Sequence, residues 1–357
     1  MFIQELCGPS DFLNLTNEDI RYIMKSMESE VPEGVDECDY LYDNMDAYIG
    51  NEDIERVISN KIFAGQVSVK WFTFRYIKGL TKEGLIEKLV SADLGYNIAF
   101  KNRNVNGLSN DISGIYYDGR VYTVKIIMSN GKKRYSDGVS LQSIELKKPV
   151  IVKINVEEQW IEIRTNDNLC SKVLEVLKNR LGICHTVEVN VLKNYGNNIH
   201  ALKDDLIDGF WNAYKANPTE NLALTEQDQI AVLQIINAVD EFFNDNTKDI
   251  SEKGKILTNT LANVDIDTEG LRLEEIILAG VEHFSIKVRD DSEKDLGTQT
   301  LYSLLKKDVL ENTGFIRFSN VEGGRKHTML VGKKTNSIAF RTSVTEDVIE
   351  YIRNKIL

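Results

Sequence analysis

Apolar residues recur at helical spacing through the first ~95 positions. Thr16 stands where a helix cap belongs, ahead of Ile20, Ile23 and Met24. A second helix is expected from Asn51 through Ile54, Val57 and Ile58, and a third from Thr81 through Leu85, Ile86 and Leu89. Between them, Val67–Phe74 mixes alternating and aromatic character, so strand and helix compete there.

From Tyr96 to Thr165 the period changes to two. Asp118-Gly119 and Asn130-Gly131 both carry the residues of a type I′ hairpin turn. Val150–Val156 and Gln159–Thr165 read as an antiparallel pair, followed by an amphipathic helix over Leu169–Leu181 with Gly182 as its stop. Residues 199–278 return to helix, most clearly after the cap Thr225, with Val232, Ile235, Ile236, Val239, Phe242 and Phe243 on one face. Strands are expected again at Phe284–Val288 and Phe315–Phe340, with a helix between them.

The expected class is therefore α+β, in four segments. These are a mainly helical 1–95, a β-rich 96–197 ending in a helix, a helical connector 198–280 and an α/β segment 281–357. The last resembles 107–181 internally. Ile161-Glu-Ile-Arg-Thr precedes a helix containing Val173-Leu-Glu and Lys178-Asn-Arg, and Ile338-Ala-Phe-Arg-Thr precedes one containing Val348-Ile-Glu and Arg353-Asn-Lys. Each looks like a β-β-α unit. Arg164 and Arg341 close equivalent strands, where anion contact competes with a salt bridge or carbonyl contact as the ordinary role.

Composition then narrows the class. The chain has 357 residues, 42% hydrophobic and 27% charged, which excludes disordered, collagen-like and disulfide-scaffold proteins. No ~18-residue apolar run is present, so no membrane partner is expected. The N-terminus lacks a secretory pattern, and four cysteines without a C-x-x-C pair fit a cytoplasmic protein.

The net charge of −12 is uneven. Residues 26–55 hold eleven acidic side chains and no Lys or Arg, a stretch that can meet a basic protein partner or fold over a basic surface. Lys101–Lys153 has a local balance of +6, and Thr313–Arg341 one of +5. Lys132, Lys133, Arg134 and Tyr135, with Arg325, Lys326, Lys333 and Lys334, are the expected nucleic-acid-binding residues: cations for phosphates, with aromatics interleaved for stacking.

Other chemistries compete with this reading. Asp137, Glu145 and Lys147 resemble, across about ten residues, the Asp…Glu-x-Lys pattern of PD-(D/E)xK nucleases, with Asp118 as another first acid. That resemblance implies Mg²⁺ held by the acids and a Lys acting on the attacking water. Cys170, Cys184, His185 and His200 match no zinc spacing, His283 and His327 lack triad partners, and Gly323-Gly-Arg-Lys-His lacks P-loop spacing. The leading expectation is a nucleic-acid-binding or accessory protein without cofactor or catalysis of its own. A prokaryotic defence or mobile-element role would suit it, although no residue demonstrates one. The alternatives are the metal-dependent nuclease and a protein-interaction subunit.

Overall fold

The computed structural model describes residues 6–48, 50–77, 79–101, 109–136, 138–165, 167–218, 234, 237, 249–263, 284–287 and 309–357. Asp137, Thr225 with the apolar positions expected after it, and His283 lie outside these residues. Two compact units emerge: residues 1–209 with 317–357, and residues 210–316. The fold is α+β. Among the described residues no helix is long and apolar enough to cross a membrane.

The first unit opens with a 3-10 turn over Pro9–Asn14 and three short helices: α1 (Asn17–Ser26), α2 (Glu37–Asp43) and α3 (Glu52–Ile62). Each helix is capped by a side chain that satisfies otherwise orphaned first-turn amides. Thr16 accepts from the Asp19 amide, Asp36 from Cys38 and Asp39, and Asn51 from Asp53 and Ile54. Strand β1 (Ser68–Phe74) settles the competition at 67–74 in favour of strand, because its alternate residues must face both layers of the molecule. Helix α4 (Lys82–Lys101) starts at Thr81 as expected. It continues past Tyr96, where the periodicity pointed to strand.

Four strands follow: β2 (Asp111–Tyr117), β3 (Tyr122–Ser136), β4 (Leu141–Asn155) and β5 (Trp160–Arg164). Then come α5 (Asp167–Leu181), the short β6 (Thr186–Glu188) and α6 (Ile199–Asp205). The second unit contains β7 (Phe210–Pro218), α7 (Ile250–Asn263), β8 (Phe284–Lys287) paired antiparallel to β7, and most of β9 (Val309–Phe318). The chain returns to the first unit for β10 (His327–Gly332), β11 (Ser337–Phe340) and α8 (Glu346–Ile356).

In the first unit the sheet order is β2-β3-β4-β5-β1-β11-β10, antiparallel at each pairing given, with β6 beside the second half of β1. One face is covered by α4 and α5. Their Leu85, Leu89, Val173, Leu177 and Leu181 pack on Phe72, Phe74, Val124, Ile126, Val152, Ile154, Ile161 and Ile163. On the other face, α1–α3 enclose a second core that reaches Ile151 of β4.

Two turn readings need correction. The Asp118-Gly119 hairpin closes through residues 118–121, with the Asp118 carboxylate accepting from the Arg120 and Val121 amides, and is longer than a two-residue turn. Asn130-Gly131 is not a turn. β3 runs through it, with Ser129 opposite Lys147 and Lys132 opposite Glu145, so two residues oppose Leu146 alone. Gly131 at φ 92° makes this a β-bulge. The Asn-Gly pair specifies a left-handed residue, and long-range pairing decides whether that residue turns the chain or bulges it.

The internal repeat is visible as geometry. Ile154 pairs with Ile161 and Val331 with Ile338; Asn155 pairs with Trp160 and Gly332 with Ser337. The loops, 156–159 and 333–336, are equal in length, and each ends on a residue in the left-handed region, Gln159 (φ 58°) and Asn336 (φ 46°). The two hairpins flank β1 with different registers. Phe72 lies opposite Ile161, whereas Val69 lies opposite Ile338. That offset of three is odd, so equivalent residues point to opposite faces of the sheet. Accordingly α5 packs on the Phe72 face, and α8 lies on the Trp71 face, where Arg353 reaches Glu162. Gln159→Gly, which relieves a Cβ held at positive φ, is expected to stabilise the unit by about 0.5 kcal/mol in urea unfolding. Asn336→Gly should gain less, because Asn tolerates that conformation.

Candidate functional site: a cationic end of the sheet

β5 and β11 both run antiparallel to β1, so their C-terminal ends come together where β1 begins. The two Arg-Thr pairs recognised in the repeat therefore converge. Between them lies a cavity of about 820 Å³, lined by Lys61, Lys148, Arg164 and Arg341 together with Asn14, Thr16, Gln66, Ser68, Thr165 and Ser343. Among the described residues no Asp or Glu lines it. Its apolar wall includes Phe63, Ile151 and Phe340.

The two arginines have different roles despite equivalent positions. Arg164 is buried and ion-paired: its Nη2 reaches Glu162 at 2.7 Å and Glu346 at 3.0 Å, and its Nη1 donates to Glu346 and to the Phe63 carbonyl. This is the salt-bridge and carbonyl role. Glu162, fully buried, also accepts from Trp71 Nε1 at 2.9 Å and Arg353 Nε at 2.7 Å. Lys153 Nζ reaches Glu346 at 2.6 Å. Burial alone would raise both carboxyls. The guanidiniums of Arg353 and Arg164 outweigh it at Glu162, which falls to about 2, and Arg164 and Lys153 hold Glu346 well below the carboxylate range. Every charge in this cluster is paired, as burial demands.

Arg341 is exposed and, like the half-buried Lys148, has no ion pair among the described residues. Lys61, at the end of α3, pairs with Asp19 at 3.0 Å.

From the same end of the sheet β3 and β4 project as a two-stranded arm, residues 129–136 and 141–148. Lys132, Lys133, Arg134 and Tyr135 are all exposed on it. The pairing register puts Lys132, Arg134, Glu145 and Lys147 on one face and Lys133, Tyr135, Ile144 and Leu146 on the other. Arg325 and Lys326 precede β10 at this same end. Burial and the Arg325 charge push the His327 imidazole down. Across the sheet β4 and β10 are four strand spacings apart, roughly 19 Å. Lys333 and Lys334 occupy the β10–β11 loop, at the opposite end of strands roughly 20 Å long, and belong to a different surface.

Glu145 and Lys147 share a face, as the Glu-x-Lys spacing requires. Their setting is an exposed ribbon. The Ser129 and Ser109 hydroxyls, with Lys147 and Lys132 nearby, hold the Glu145 carboxyl below its ordinary range. Among the described residues no group of three His, Cys, Asp or Glu is placed to hold a metal ion. Sequence reasoning missed the cavity, because Lys61, Lys148 and Arg341 come from three distant segments that only the sheet order unites. Comparison with known family models and with curated proteins finds no match.

Proposed function

We propose that this chain binds nucleic acid through the cationic end of its sheet, as a cytoplasmic accessory protein without catalysis of its own. The observation that carries the reading is the convergence of the β3–β4 arm, Arg325-Lys326 and the carboxylate-free cavity on one end of one sheet. Among the described residues Lys132, Arg134 and Lys147 share their face of the arm with one carboxylate, Glu145, which leaves that face a net positive charge for phosphates. A two-stranded ribbon is also narrow enough for a DNA major groove. The free thiols of Cys7, Cys38, Cys170 and Cys184 fit the reducing compartment.

Binding of labelled duplex and single-stranded DNA, measured at several salt concentrations, tests it. Each phosphate contact contributes about 0.9 to the log–log salt slope on duplex DNA. The triple variant Lys132→Ala/Lys133→Ala/Arg134→Ala is expected to lower affinity and reduce the slope by up to ~2.7. Lys333→Ala/Lys334→Ala, at the other end of the sheet, should change neither. Equal slopes for the intact protein and the triple variant would sink the reading.

A second reading has its own observation. Val139 is 97% and Leu141 78% exposed beyond the basic part of the arm, with Ile144 and Leu146 also exposed. Such apolar exposure favours a protein partner. Loss of that partner on Leu141→Asp/Ile144→Asp, with DNA binding absent throughout, would support this alternative.

A further inference from the structure

We infer that the cavity where β5 and β11 end binds a phosphate group, carried by a nucleoside polyphosphate or by the phosphorylated end of a nucleic-acid strand. This goes beyond the arm, because it uses other side chains and needs no contact along a strand.

The charge inventory points to an anion. Arg164 lines the cavity as a member of a buried cluster in which three cations, Arg164, Arg353 and Lys153, meet two carboxylates, Glu162 and Glu346. Lys61 is neutralised by Asp19. Lys148 and Arg341 add two cations, with no ion pair among the described residues and no carboxylate in the lining to compete. Phe63, Ile151 and Phe340 form a low-dielectric wall, which strengthens attraction for an entering anion.

The chemistry is matched to phosphate. Arg341 offers a planar fork for two oxygens and Lys148 a compact point charge. Ser68 and Ser343 also line the same space. The volume falls within the roughly 300–1,000 Å³ of small-molecule pockets, enough for a nucleotide and not merely an ion. Arg164 is a positioning residue here: its own donors are taken by Glu162, Glu346 and Phe63, and its charge is what the ligand senses.

The test follows thermal unfolding of the full chain during titration with inorganic pyrophosphate. A rise in Tm of roughly 5 °C is expected at a hundredfold excess over Kd. Arg341→Gln and Lys148→Gln, both on accessible side chains, should each weaken binding tenfold or more, and the double variant should show no shift. The arm variant Lys132→Ala/Lys133→Ala/Arg134→Ala should respond like the intact protein, so failure here and failure of the arm are read separately. Stronger binding of a nucleoside triphosphate than of a 5′-phosphorylated oligonucleotide identifies a free nucleotide. At least tenfold preference for the 5′-phosphorylated over the 5′-hydroxyl oligonucleotide identifies a strand end. No shift with pyrophosphate, an equal shift with sulfate at matched ionic strength, or a shift retained by the double variant overturns the proposal.

Discussion

Glu162→Ala is expected to destabilise the 1–209/317–357 unit by about 3–5 kcal/mol in urea unfolding, the usual cost of breaking a buried ion pair from one side. The carboxylate is fully buried and accepts from Arg164, Arg353 and Trp71. Its removal leaves Arg353, among the described residues, with its stacking over Trp160, 4.8 Å from the ring centroid, and no acidic partner. Arg164 retains Glu346 and the Phe63 carbonyl. Most of the cost should therefore trace to Arg353. The double variant Glu162→Ala/Arg353→Met should recover a good part of the loss, because it removes the stranded charge together with its partner. A loss below 1 kcal/mol for Glu162→Ala would show that water reaches the cluster and that it does not hold α8 to the sheet.

Acid should unfold this unit through the same carboxylates. Glu162 titrates near 2 in the folded protein against an ordinary 4.5, and Glu346 is depressed as well. A depressed carboxyl contributes its full stability above the unfolded value and loses it as pH falls through the folded one. The window therefore opens near pH 4.5 and closes near pH 2. For Glu162 alone the contribution is roughly 3 kcal/mol, from about 1.36 kcal/mol per pKa unit. Unfolding free energies measured between pH 7 and pH 2 should fall steeply below pH 4.5, and Glu346→Gln should flatten the fall. A curve that stays level to pH 3 in the intact protein would contradict the assignment.

Local signals in the sequence were sufficient for the elements they govern. Thr16 caps the helix it was expected to cap, the helix expected from Asn51 begins there, and Gly182 follows α5 at φ 78°. The apolar alternation of Val150–Val156 and Ile161–Arg164 belongs to two real paired strands. What needed the fold was whatever depends on pairing between distant segments. Asn130-Gly131 became a bulge because β4 had residues to pair beyond it. The equivalence of Arg164 and Arg341 was readable in the repeat, but their division of labour was not. It follows from the odd register offset, which sets one copy beside Glu162 and Glu346 and leaves the other without an ion pair among the described residues. Lys333 and Lys334 shared a local charge excess with Arg325 and Lys326, and charge counting along the chain cannot reveal that a strand separates them.

The position of β1 also dictates an order of events during synthesis. Its Val69–Thr73 meet β5 early, yet the other edge of Ser68 and Val69 waits for β11, which follows the whole of residues 210–316. At ordinary elongation rates that interval lasts roughly 5–20 s. Throughout it, the nascent chain carries an open strand edge, and Glu162 and Arg164 have neither Arg353 nor Glu346 to complete their pairing. The emerging polypeptide is thus a natural client for chaperones during this delay, and a ribosome stalled inside the insertion would leave a sheet primed to pair with the wrong partner.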